Sequence, residues 1–473
     1  MKVLYATSEA GPFIRTGGLG DVSAALPVAL AEEKIEVSVV LPYYEDIPNS
    51  FKSHMRFLGA TTVPLGWRRQ YAGLFQYVQK GVSFFFVDNE YYFKRKGLYG
   101  HFDDGERFAF FSKAVLELIP LMKFTPDIIH CNDWQTSLIP VMLDSFYRNE
   151  TVYSKIKTVQ AIHNIEFQGR MDKYVIDNVF GIPEKNSPLV EYRGDANMLK
   201  GGIEASNKVV TVSPSYAAEI LDPYFSYGLE FILRERQYKI IGILNGIDTE
   251  LYNPETDRAL FTNFSCKDPA NKVKNKIALQ KMIGLPENAD KPMIGMVGRL
   301  TGQKGIDLVL RVIHEILSLD VQLVILGTGD WKYENAIKEM EKQYPTKLNA
   351  AISFSADMAS KIYAASDLFL MPSKFEPCGL SQMIAMRYGS IPIVRETGGL
   401  RDSVEPYNPT TGLGVGFTFK TFDACDMLDA VNRAVSLYYN DKKGFETIKR
   451  NAMGKDFSWR KSAKQYINMY ETL

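Results

Sequence analysis

Short, continuous apolar runs alternate with longer amphipathic stretches along the first 240 residues. "KVLYAT" (residues 2–7) predicts a buried strand, "DVSAALPVALAEE" (21–33) repeats its apolar positions at helical spacing, and "IEVSVVLPYY" (35–44) reads as a second strand. Strand, glycine loop, helix, strand is a βαβ unit, and such units build parallel sheets. Further strands are expected at "VSFFFVD" (82–88), "DIIHCND" (127–133), "TVQAIHN" (158–164), "KVVTVSP" (208–214) and "IIGILNGID" (240–248).

The pattern starts again at residue 292. "PMIGMVGRL" is a strand, "GQKG" a glycine turn, "IDLVLRVIHEILSL" a helix and "VQLVILGTG" a strand. The polar stretch before it, "NFSCKDPANKVKNK" (263–276), reads as a surface segment of the second domain. "DLFLMPS", a helix over "GLSQMIAMRYG" and a strand "IPIV" follow. The fold class expected is α/β, with two Rossmann-like domains. A glycine sequence recurs between them: "RTGGLGDV" (15–22) follows the first strand, and "TGGLRD" (397–402) follows "IPIV". Both copies fall where a parallel sheet presents the carboxyl ends of its strands, the place where ligands bind.

The length of 473 residues fits two domains rather than one core. Lys plus Arg and Asp plus Glu are each 55, so there is no net field to gather nucleic acid or an acidic membrane. No run of 18 apolar residues marks a membrane span, and the N-terminal stretch lacks the apolar run of a signal peptide. Four scattered cysteines suit a reducing cytoplasm, and five histidines with no His-x-x-x-His pair offer no metal site.

Several residues carry candidate chemistry. Gly17, Gly18 and Gly20 either make a tight strand-to-helix turn or let backbone N–H groups cradle an anion. The spacing is not that of a dinucleotide fingerprint. Arg299 and Lys304 in "GRLTGQKG" are either solvated loop cations or a clamp and a point charge for a diphosphate. In "SKFEPCGLSQ", a helix start near Gly379 and the Ser381 hydroxyl suit a phosphate, whereas Glu376 suits neutral hydroxyls such as a sugar's. His163 and Asp133 each end a strand, and Asn245 sits where the chain leaves the first domain. Trp134 reads as core.

Taken together, "TGGLGDV", "HNIEFQG", "TVSPSYAAEI", "ILNGID", "GRLTGQKGID", "LMPSKFEPCGLSQMIAMRYGSIPIVRETGGL" and "DFSWRKSAKQY" resemble the bacterial glycogen synthase and plant starch synthase family, end to end. The resemblance implies GT-B architecture: two Rossmann-like domains facing across a deep cleft. Residues 1–242 would form the acceptor side with the glycine loop, 243–455 the nucleotide-sugar side, and 456–473 a helix crossing back onto the first domain. The implied reaction moves glucose from ADP-glucose to the non-reducing end of an α-1,4-glucan such as glycogen. It retains configuration, uses no metal or cofactor, and involves neither nucleic acid nor membrane. Gly17 and Gly18 would meet the donor, with Asp21 behind them. His163 and Asn245 would touch the sugar. Arg299 and Lys304 would hold the diphosphate, and Glu376 the sugar hydroxyls. Cys378, Gly379, Leu380 and Ser381 would hold phosphate, and Phe354 would stand where relatives stack a tyrosine on adenine. Asp133 is assigned to the acceptor side.

Two positions depart from the family pattern. Arg15 replaces the usual Lys before Thr-Gly-Gly-Leu, keeping charge but not geometry. Ile384 stands where related glycosyltransferases carry a second Glu, so this motif does not show how ribose is held. The alternative reading is another two-Rossmann nucleotide-sugar enzyme, such as a UDP-sugar transferase.

Overall fold

A computed structural model describes residues 1–473, apart from the side chain of residue 269. The chain forms two compact units. One contains residues 1–245 together with 459–473, and the other residues 246–458.

The first unit is built on nine strands in one sheet. In chain order these are β1 (Lys2–Ala6), β2 (Glu36–Pro42), β3 (Arg56–Leu65), β4 (Arg68–Gln79), β5 (Val82–Asp88), β6 (Ile128–Asn132) and β7 (Lys157–Ile162). Three short strands, β8 (Arg170–Asp172), β9 (Glu191–Tyr192) and β10 (Asp195–Asn197), form a separate small antiparallel sheet. β11 (Lys208–Thr211) and β12 (Ile240–Gly242) complete the main sheet, whose order is β12-β11-β7-β6-β1-β2-β5-β4-β3. The parallel arrangement expected from the βαβ pattern holds from β12 to β5, but β4 and β3 add an antiparallel hairpin at one edge. Its alternating exposed and half-buried side chains carry no continuous apolar run, because only one face is covered. The helix Asp104–Met122 supplies that cover, burying Phe108, Phe110, Phe111 and Val115.

The helix Trp459–Glu471 also belongs to this unit. It lies against the helix Gly18–Glu32 and buries Trp459, Ala463, Tyr466, Met469 and Tyr470 in the core. The Tyr470 hydroxyl meets His130 Nδ1 at 2.8 Å.

The second unit carries a six-stranded parallel sheet: β13 (Met293–Val297), β14 (Gln322–Leu326), β15 (Leu348–Ala351), β16 (Leu368–Met371), β17 (Ile391–Arg395) and β18 (Phe417–Phe419), in the order β15-β14-β13-β16-β17-β18. The single helix expected over "IDLVLRVIHEILSL" is two, Ile306–Arg311 and Ile313–Ser318, broken at Val312. The polar segment 263–276 is not all surface. Its last residues open the helix Lys272–Met282, where Lys272, Asn275 and Lys276 are buried. Lys272 Nζ donates to the carbonyls of Ala364 and Tyr388 at 2.8 and 2.9 Å, and Lys276 pairs with Asp367 at 2.7 Å. Charges go inside here because every one meets a partner.

In the parallel part of each main sheet the chain order reverses once, at β1 between β2 and β6, and at β13 between β14 and β16. The loops leaving the strands at these reversals bound the crevice in which α/β sheets take ligands.

Candidate functional site

In the second unit, the loops after β13 and β16 bring Lys304 and Glu376 together. Lys304 Nζ lies 2.5 Å from Glu376 Oε2, with the two side chains 19% and 9% exposed. Ser373 Oγ donates to the same oxygen at 3.0 Å. Glu376 therefore enters the site already paired with a cation, which reading the loops separately did not reveal. Arg299, two residues beyond β13, is exposed, as is Phe354 just ahead of the helix Ala356–Ala365. The Ser381 hydroxyl is hydrogen-bonded with Tyr363. Ile384 is buried at 5% exposure and faces the core.

The second glycine copy is a packing device for this loop. A Cβ on Gly398 would stand 2.1 Å from the Glu376 carbonyl oxygen, and one on Gly399 would stand 2.1 Å from that of Cys378. Gly398 also has φ +43°. The Gly399 N–H donates to the carbonyls of Glu376 and Pro377 at 3.1 and 3.2 Å. Gln382 Nε2 donates to the Cys378 and Gly379 carbonyls and to Ser403 Oγ, stitching the two segments together. Ser373 and Gln382 open and close "SKFEPCGLSQ" and Ser403 follows "TGGLRD", but nothing in the sequence marked these bonds.

In the first unit the loops after β1, β6 and β7 meet. The first glycine copy is open: nothing lies within 4 Å of a Cβ placed on Gly17 or Gly18. Gly17 caps the helix Gly18–Glu32 with no side-chain acceptor of its own. Arg15 is paired with Asp21 at 2.5 Å, both substantially exposed. Asp133 Oδ1 accepts the His163 N–H at 2.7 Å, and its carboxyl also accepts the Asn164 N–H. Burial pushes the Asp133 carboxyl up to about 7. Asp133 has φ 53° and ψ −173°, a strained backbone for a residue with a Cβ, and such strain concentrates at functional sites.

His163 is oriented by Asn132. Asn132 Nδ2 donates to the Ala6 carbonyl at 2.9 Å, so its Oδ1 is the acceptor that meets His163 Nε2 at 2.9 Å. Nε2 is then the protonated nitrogen, and Nδ1 carries the lone pair. Burial lowers the His163 pKa to about 4, leaving a neutral imidazole. Trp134 packs edge-on against Phe108, as a core residue. Asn245, the last residue before the boundary, is buried with an unpartnered Oδ1. Glu9 was missed altogether: its carboxylate accepts two bonds from Thr16, and its only trace in the sequence is a lone acid just beyond the first strand.

Residues 2–235 match the family model of the starch synthase catalytic domain, and residues 280–454 that of glycosyl transferases group 1. The chain is 52% identical to the glycogen synthase of Clostridium acetobutylicum, covering 99% of each chain. It is 49% identical to that of Geobacillus thermodenitrificans, covering 100% of this chain and 98% of the relative. The chain belongs to the glycogen synthase family. It is a glycosyltransferase that transfers glucose from ADP-glucose to an α-1,4-glucan.

The fold agrees with membership of the glycogen synthase family. The catalytic domain of starch synthase IV from Arabidopsis thaliana, solved bound to ADP and acarbose, superimposes with a TM-score of 0.91 at 35% identity, covering 99% of this chain and 98% of the other. The fold is thus GT-B, with two Rossmann-like domains. Sucrose-phosphate synthase from Thermosynechococcus elongatus, with a TM-score of 0.61 at 16% identity, shares the fold. Among the described residues no helix is long and apolar enough to cross a membrane.

Proposed function

We propose that this chain extends the non-reducing end of an α-1,4-glucan with retention of configuration, in the cytoplasm and without a metal. The observation that carries the reading is the Lys304–Glu376 pair at the sheet reversal of the second unit. Lys304 and the exposed Arg299 face the diphosphate and oppose the charge that grows on ADP as the anomeric bond breaks. Glu376 spends Oε2 on Lys304 and Ser373 and keeps Oε1 for a sugar hydroxyl. A carboxylate neutralised in this way is a poor nucleophile, which favours a front-face, ion-pair-like displacement over a covalent intermediate.

In the first unit, His163 offers its Nδ1 lone pair to a sugar hydroxyl, and the open Gly17–Gly18 backbone offers N–H groups to the donor. Arg15 and Asp21 flank that loop, Asp133 serves the acceptor side, and the unpartnered Asn245 Oδ1 takes a further hydroxyl. The Cys378–Ser381 backbone meets phosphate. The Phe354 ring is assigned to the base and Ile384 to packing, so the ribose is held by other groups. Radiolabel transfer onto glycogen from ADP-glucose and UDP-glucose in parallel tests the reading, with a chelator arm. It fails if kcat/KM with UDP-glucose equals or exceeds that with ADP-glucose, or if EDTA abolishes activity and a divalent ion restores it.

A further inference from the structure

Glu9 has no part in the roles above, yet the open glycine loop hangs from it. Glu9 is 3% exposed and lies in the loop after β1, outside the glycine motif. Its Oε2 accepts the Thr16 backbone N–H in a very short bond and Thr16 Oγ1 at 2.9 Å. Thr16 precedes Gly17, the cap of the helix Gly18–Glu32. The rest of the loop is pinned by Gly11 N–H to the Gly20 carbonyl at 3.0 Å and Ile14 N–H to the Ala10 carbonyl at 3.0 Å. Gly20 is closed to side chains, since a Cβ there would stand 2.4 Å from Arg15 Cβ. With both flanks fixed, the direction of the Gly17 and Gly18 N–H groups depends on where Glu9 holds Thr16.

We infer that Glu9 is the positioning residue of the glycine loop: its ionised carboxylate aims the Gly17 and Gly18 N–H groups at the anionic donor, and protonation of Glu9 loosens them. The inference rests on the reading that this loop meets the donor. The groups facing Glu9 are the carboxyls of Asp133 and Asp21 and the phenols of Tyr44 and Tyr99. Burial pushes the Glu9 carboxyl up to about 7, against the two Thr16 bonds, and Asp133 and Asp21 add to the rise. The carboxylate therefore changes charge near neutral pH. Protonation leaves Oε2 a neutral acceptor, and both Thr16 bonds lose the charge assistance that makes them strong.

The test uses the full chain as wild type, Glu9→Gln, Glu9→Ala and Thr16→Ala. Three quantities are read across the pH range around 7: kcat and KM for ADP-glucose on glycogen, hydrogen exchange of residues 14–20, and thermal unfolding. In the wild type, KM should rise as pH falls through about 7 while kcat moves less, and the loop should exchange faster after correction for intrinsic rates. Glu9→Gln keeps an acceptor for Thr16 but cannot ionise, so its KM and loop protection should be flat with pH. Glu9→Ala should raise KM about tenfold or more above pH 7, the loss of a charge-assisted bond, with the gap to wild type narrowing as pH falls below it. Thr16→Ala, at an exposed position, should raise KM by roughly severalfold with unchanged unfolding, which covers the case of a poorly folded Glu9→Ala. A Glu9→Gln profile that superimposes on the wild type, or unchanged KM and loop exchange in Thr16→Ala, overturns the inference. The exchange arm needs no donor, so loop loosening is scored even if the donor reading fails.

Discussion

Lys304→Ala and Glu376→Ala should move ADP binding in opposite directions. Each removes half of one ion pair, with Nζ and Oε2 2.5 Å apart and both side chains mostly buried. A charge-assisted hydrogen bond of this kind is worth about 1.5–3 kcal/mol. Removing either partner should lower stability by about that amount, and the double variant by less than the sum. Binding separates the two. Lys304 divides its charge between Glu376 and the diphosphate, so Lys304→Ala should weaken ADP by roughly 10- to 100-fold. Glu376→Ala leaves Lys304 to the phosphate alone, so ADP affinity should hold or improve while kcat falls by about 100-fold or more. Calorimetric titration of ADP, steady-state transfer to glycogen and thermal unfolding on the four proteins of the cycle give every quantity needed. If Glu376→Ala weakens ADP as much as Lys304→Ala does, the carboxylate only holds the lysine in place, and its assignment to sugar hydroxyls is wrong.

Gly399→Ala should cost stability or most of the activity, because its Cβ would collide with the Cys378 carbonyl at 2.1 Å; Gly18→Ala has open space, so any loss it shows in donor kcat/KM reports ligand approach rather than folding. Arg15→Ala should leave the unfolding midpoint unchanged, since the Arg15–Asp21 pair is exposed. It should lower donor kcat/KM by about one to two decades, and Arg15→Lys should restore it; a fully active alanine variant would place the cation outside the site. Folded His163 binds its proton only near pH 4, against about 6.5 when unfolded. The unfolded state then holds more protons between these values, and the His163 contribution to stability is lost as pH falls from 6.5 towards 4. Asp133 runs the other way: its folded value near 7 lies above the unfolded one, so its contribution is lost as pH rises from about 4 to 7. Unfolding curves of His163→Gln and Asp133→Asn across pH 4–8 should each flatten one of these slopes, and unchanged slopes would reject the assigned protonation states.

The strands legible in the sequence are those buried on both faces, such as β2, β6 and β14, whose apolar runs are continuous. The β3–β4 hairpin escaped notice because its polar face is solvated and Arg68, Arg69 and Gln70 interrupt any apolar count. Lys272 and Lys276 misled in the opposite sense. Their charges read as surface, but carbonyl oxygens and Asp367, all distant in the chain, receive them inside. Site residues inside dense motifs, Lys304 and Glu376 among them, were legible one at a time; their pairing was not, because it depends on two loops 72 positions apart. Glu9 was invisible for a related reason, since one acid gains meaning only from the backbone it grips. The repeated glycine sequence was visible, but not the division of labour: one copy stays open and the other is pressed against the Glu376 loop.

The helix Trp459–Glu471 has a consequence for synthesis. It completes the core of a unit whose other residues end at Asn245, so residues 246–458 must leave the ribosome before that core can close. At about 5–20 residues per second, the first unit waits on the order of ten to forty seconds without its last helix. During that interval His130 lacks Tyr470 and the helix Gly18–Glu32 lacks its cover. The domain begun first is therefore the one finished last, and nascent chains stalled within residues 246–458 should expose an apolar face that a chaperone can recognise.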